Sequence, residues 1–170
     1  MKTFNYLSAL IASLIISFSV GPAYSQSKKE IREKKKAEEI QKLIDQKRFT
    51  FIVQTVQPMR GGTVFNQSIG FELTVKKDTL NSYLPYFGRA FTAPMNSTDS
   101  PLTFTTTEFS YTVEKKKKGS KDIIIIPKNR QQYSRRMLLN VSEQGYGTLQ
   151  VTADNRDPIT YTGYIAALKD

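Results

Sequence analysis

The chain has 170 residues and contains neither cysteine nor histidine. That excludes thiol nucleophiles, Ser-His-Asp relays, disulfides and the usual zinc sites, and leaves only carboxylate, Lys, Tyr, Ser/Thr or Arg chemistry. The formal net charge of +10 points toward anionic surfaces, although the surplus is spread along the chain rather than gathered in one polycationic segment.

Residues 1–25 carry Lys2, an apolar run from Tyr6 to Val20, a Gly21-Pro22 break and the small-residue stretch Ala23-Tyr24-Ser25. This is the order of a secretory signal, with the mature chain expected to start at Gln26. The run is short for a bilayer span, which needs about 20 residues. No Cys follows it, so a lipoprotein anchor is excluded.

Residues 26–48 are expected to form a charged helix. Ser27-Lys28-Lys29-Glu30 fits a capping box, and no Gly or Pro interrupts the run to Arg48. Ile40, Leu43, Ile44 and Lys47 fall on one helical stripe, whereas Ile31 is the only large apolar residue before Ala37. The second half should dock and the first half should stand in solvent.

From Phe49 the period changes to two, and residues 49–170 are expected to form one antiparallel β domain. Phe49, Phe51 and Val53 alternate with Thr50, Ile52 and Gln54, and Ile69, Phe71, Leu73 and Val75 alternate with polar residues. Leu102 to Thr107 and Phe109 to Lys115 do not keep one phase and are expected to form either two strands or one bent strand, with a bulge near Glu108 reconciling them. Ile123 to Ile126 lacks alternation, as a strand buried on both faces would. Three further strands are expected at Tyr133–Val141, Gly147–Ala153 and Ile159–Ala167. The fold class is mainly β (α+β): an N-terminal helix, then about seven or eight antiparallel strands in a curved sheet or open barrel whose core or mouth the helix covers.

Between two strand groups lies Asn81-Ser82-Tyr83-Leu84-Pro85-Tyr86-Phe87-Gly88-Arg89-Ala90. Together with Asn155-Arg156 and Tyr161-Thr162-Gly163-Tyr164-Ile165, it resembles the exported Bacteroidota family known as domain of unknown function 4251. The similarity spans roughly Lys36 to Leu168, with Leu-Pro-Tyr-Phe-Gly-Arg-Ala its most specific part. The resemblance implies a bacterial envelope location and brings no established activity, so no site residue is carried over from it.

Two roles for the segment follow from its own chemistry. As a plug, Leu84 and Phe87 fill the edge of the core and the tyrosine hydroxyls find backbone partners. As a cleft wall, Tyr83, Tyr86 and Arg89, with Arg156 and Tyr161 opposite, offer flat faces and guanidinium forks to an anionic or amphiphilic ligand. Whether Arg89 points into the fold or out of it separates the two.

Lys115, Lys116, Lys117, Lys118 and Lys121 form a basic patch at a hairpin tip. No aromatic lies among these lysines, so nucleic acid is not expected; a solvated turn or an anionic membrane surface is. Asp78-Thr79-Leu80 resembles the short O-glycosylation pattern of Bacteroidota, which makes Thr79 a candidate acceptor. Asp154 and Asp157 read as turn chemistry rather than as a catalytic pair. The expectation is a non-catalytic periplasmic or envelope-surface protein without cofactor or metal. It would bind a lipid or glycan fragment, or dock on an envelope partner through its basic helix or a sheet edge.

Overall fold

The computed structural model describes residues 23–65, 70–89, 91, 102–128, 134–154 and 156–168. Residues 1–22, which hold most of the expected signal, lie outside the described residues. The chain divides into two units, Met1–Lys35 and Lys36–Asp170.

The helix α1 runs Ala23–Asp45 and starts four residues before the expected capping box. Ser27 is thus an interior helical residue, because nothing between Ala23 and Ser27 breaks a helix. In the first unit Ile31 is 54% exposed. In the second unit Ile40 and Ile44 are fully buried. The helix ends without a glycine. Lys47 takes the left-handed conformation (φ 53°), Arg48 N–H donates to Leu43 O (3.0 Å) and Lys47 N–H to Ile44 O (3.1 Å). That is a Schellman closure satisfying two of the last carbonyls.

The strands are β1 (Phe49–Pro58), β2 (Val64–Phe65), β3 (Glu72–Lys76), β4 (Thr79–Tyr83), β5 (Thr103–Thr106), β6 (Phe109–Lys115), β7 (Lys121–Pro127), β8 (Ser134–Val141), β9 (Tyr146–Ala153) and β10 (Ile159–Ala166). They form one antiparallel sheet in the order β5-β4-β3-β1-β10-β9-β8-β7-β6, with β2 paired to β1 off that path. The first and last strands of the path are separated in the chain by only Thr107 and Glu108. The sheet therefore curls into a nearly closed barrel, as the expected curved sheet or open barrel requires.

Three expectations are corrected. Near Glu108 the chain forms two strands, as one alternative had it, and the expected bulge is replaced by a passage from one end of the sheet path to the other. Glu108 N–H donates to Thr106 Oγ1 (3.1 Å) and Glu108 O accepts from Lys128 N–H (2.9 Å). The register shifts fall instead between Val53 and Thr55 and between Ser134 and Arg136. In β7, Ile123 and Ile125 are fully buried, but Ile126 is 41% exposed: one face of the strand meets solvent, as in an ordinary antiparallel sheet. Finally, Asn81 to Tyr83, expected between two strand groups, belong to a strand, β4. Its inward position Ser82 is polar and hides the alternation; the hydroxyl is satisfied inside by Leu102 O (2.6 Å).

The interior is packed by Phe49, Phe51, Leu73, Val75, Leu80, Ile123, Ile125, Met137, Leu139 and Leu149, all fully buried. Phe51 lies against two glycines that face each other in the β9–β10 register, Gly147 and Gly163. A Cβ at Gly163 would collide with the Ile52 carbonyl and come within 3.2 Å of the Phe51 ring. Only glycine permits this approach.

Candidate functional site

The two ends of the barrel are closed by different means. At one end Tyr111 donates to Ile44 O of the helix (3.0 Å), and the Lys47 ammonium lies 5.2 Å from the centre of the Tyr111 ring. Burial, with Asp45 adding, pushes the Tyr111 hydroxyl well above the usual tyrosine range. Ile40 packs against Gly145 in the β8–β9 turn. The β9–β10 turn lies at the other end of β9, and there the closing piece is the segment Leu84–Arg89.

Leu84 is 1% exposed and Leu102 beneath it is fully buried. Tyr161 of β10, also fully buried, donates its hydroxyl to Pro85 O (2.6 Å). Burial, with Tyr86 adding, holds that hydroxyl far above the usual range. Arg89 O accepts the Asp157 N–H (3.1 Å). The single phenolic proton of Tyr86 lies between Arg89 O and Asp157 O, each 3.0 Å away. Burial raises the Tyr86 hydroxyl, with Arg156 opposing and Asp157 adding. The Arg156 guanidinium stacks on the Tyr86 ring, 5.1 Å from its centre.

The five residues expected to form a cleft wall are thus distributed differently. Tyr86 and Arg156 meet, and Tyr161 lies beneath them in the interior. Tyr83 and Arg89 are exposed, and Tyr83 contacts Phe71 with ring centres 5.5 Å apart. The backbone of the segment is pinned by two tyrosine hydroxyls while the Arg89 side chain faces solvent.

Phe87 corrects the expected plug. It is 50% exposed, and Phe91, which the sequence did not single out, is 64% exposed. The signal for Phe87 was its position next to Tyr86: neighbouring residues on extended backbone project to opposite sides, so a tyrosine tied inward turns Phe87 outward. Gly88 is required by the bend, since a Cβ there would collide with the Tyr86 hydroxyl.

The lysines of the β6–β7 tip are less uniform than their spacing suggests. Lys116 bridges Glu114 (3.1 Å) and Asp122 (3.3 Å). Lys121 is 8% exposed and is not part of the surface, because it shares the inward phase of β7 with Ile123 and Ile125. Lys115 and Lys117 are exposed, and Lys118 lies in a short 3-10 turn, Lys117–Gly119. Thr79 is half-buried where β4 begins, opposite Lys76.

Among the described residues no three acidic side chains gather as a metal site would need, and no helix is long and apolar enough to cross a membrane.

No curated protein matches the chain. Its fold is similar to the crystal structure of a DUF4251 family protein from Bacteroides eggerthii DSM 20697, with a TM-score of 0.54 and 13% identity, over 78% of this chain and 87% of that one. Residues 31–165 match the family described as "Domain of unknown function (DUF4251)". That match takes in the helix docked at one end of the barrel and the pinned segment at the other, and the chain belongs to the DUF4251 family.

Proposed function

We propose that the protein is a non-catalytic module of the bacterial cell envelope, exported by its N-terminal segment, that engages an anionic amphiphile through the outer surface of its Leu84–Arg89 closure. The observation that carries this is the exposure of Tyr83 and Phe87, at 44% and 50%, next to and within the bend whose carbonyls Tyr161 and Tyr86 hold, with Phe91, 64% exposed, two residues further along the chain. Clustered exposed aromatics mark interaction sites more than isolated ones do. Beside them, Arg89 and the stacked Arg156 supply planar forks for phosphate or carboxylate. The ligand meets a rim rather than an internal cavity, because Tyr161, Leu84 and Leu102 occupy the space behind it.

Docking on an envelope protein is a second reading with its own support: among the described residues β5 and β6 each pair on one side only, and an unpaired edge can accept another strand.

Co-sedimentation with vesicles of anionic phospholipid, against zwitterionic vesicles, tests the proposal. The full chain should bind only the anionic vesicles. Phe87→Ala with Phe91→Ala should weaken binding about tenfold or more, since each partly exposed ring forfeits on the order of 1 kcal/mol of burial. Arg89→Ala should remove about 1 kcal/mol more at low salt. Equal binding by wild type and variants, or no preference for anionic vesicles, overturns it.

A further inference from the structure

On the outside of the sheet, β3 presents Glu72, Thr74 and Lys76 along one face. Thr74 lies opposite Asn81 of β4 and Thr50 of β1, and all five residues line a cleft of about 310 Å³. Ile52, Ala166 and Leu168 give it an apolar wall. We infer that this cleft is a second binding site, separate from the aromatic rim, and that its ligand is the zwitterion of a short peptide.

The floor of the cleft consists of hydroxyls kept from bulk water. Thr50 and Thr74 face away from the core, yet they are only 8% and 7% exposed. Their hydroxyls bond to each other (3.1 Å), and Thr74 donates to Glu72 Oε1 (3.3 Å). A hydroxyl has one proton. With that of Thr74 on the carboxylate, Thr50 must donate to Thr74, and the Thr50 oxygen keeps its acceptor capacity. Asn81 adds a carboxamide able to donate and accept.

Charge selects the ligand. Neither Glu72 nor Lys76 forms an ion pair among the described residues. On a helix a four-residue spacing would bring them together. On a strand it holds their Cα atoms about 13 Å apart, so they cannot neutralise each other. A ligand with a cation at the Glu72 end, an anion at the Lys76 end and an amide between completes the arrangement. An extended dipeptide spans about 7 Å of backbone, and the two side chains reach inward over the rest. The volume is at the lower end of the roughly 300–1,000 Å³ typical of small-molecule pockets, a fit to a ligand as small as a dipeptide.

The test is titration of the isotope-labelled full chain with alanyl-leucine, followed by amide resonances, with the acetylated and amidated dipeptide as control. Free dipeptide should shift Thr50, Thr74 and Asn81 saturably at concentrations up to about 10 mM, and the capped form should bind at least tenfold more weakly. Glu72→Gln and Lys76→Gln should each weaken binding about tenfold with the melting temperature unchanged. Lack of saturation, equal binding of the capped peptide, or undiminished affinity in either variant overturns the inference. If Glu72→Gln does not fold, the exposed Lys76→Gln decides alone.

Discussion

Tyr161 joins the barrel wall to its closing segment through one buried proton, donated to Pro85 O. Removing it with Tyr161→Phe leaves that carbonyl without its partner and should cost about 1–3 kcal/mol at neutral pH, read as a lower urea midpoint. The same hydroxyl makes stability fall in alkali. An unfolded tyrosine ionises near 10.0, whereas burial keeps the folded Tyr161 and Tyr111 protonated well beyond that. The unfolded chain then holds fewer protons, so the stabilisation is complete below pH 10 and is lost as pH rises above it. Each retained proton contributes a slope of about 1.4 kcal/mol per pH unit. Tyr161→Phe should reduce the slope between about pH 10.5 and 12 by one such proton. An unchanged slope would show that Tyr161 ionises as freely in the folded state as in the unfolded one.

Among the elements, β7 shows most clearly where sequence patterning stops. Four consecutive isoleucines carry no phase, so two-sided burial was the natural expectation, and only the pairing with β6 and β8 reveals an inner and an outer face. Ile125→Thr should cost about 2 kcal/mol or more, because it removes a buried methylene and brings an unpaired hydroxyl inside. Ile126→Thr should change stability by no more than about 0.5 kcal/mol. Denaturant midpoints check the pair, and equal losses would restore two-sided burial. The long strands β1, β9 and β10 were legible because apolar residues fill every inward position but a few glycines. The short strands β2 and β4 were not, since two residues carry no period and β4 spends an inward position on Ser82. The site was half legible. Tyr86, Arg156 and Tyr161 do meet at the closing segment, but which ring faces out depends on hydroxyl partners some 70 residues away in the chain, which local patterning does not report. The outer cleft was invisible for the same reason, as four strands, β1, β3, β4 and β10, and the C-terminal stretch build it.

At the scale of the β domain, pieces of the chain itself shut the two ends of the barrel, and the proposed recognition uses the outside of one closure. A docked helix turn covers the first end, and a hydrogen-bonded bend carrying outward aromatics covers the second. The proposed binding at the outer surface requires the bend to stay shut. Hydrogen exchange at the Asp157 amide, which donates to Arg89 O, measures this directly. The reference is the Ile165 amide, bonded to Gly145 O (2.8 Å) near the opposite end. Asp157 should exchange within about tenfold of Ile165, a difference of roughly 1.4 kcal/mol in opening free energy, and anionic vesicles should not accelerate it. Exchange of Asp157 at an unprotected rate, or its acceleration on vesicle binding, would show that the bend opens to admit its ligand and would contradict the account.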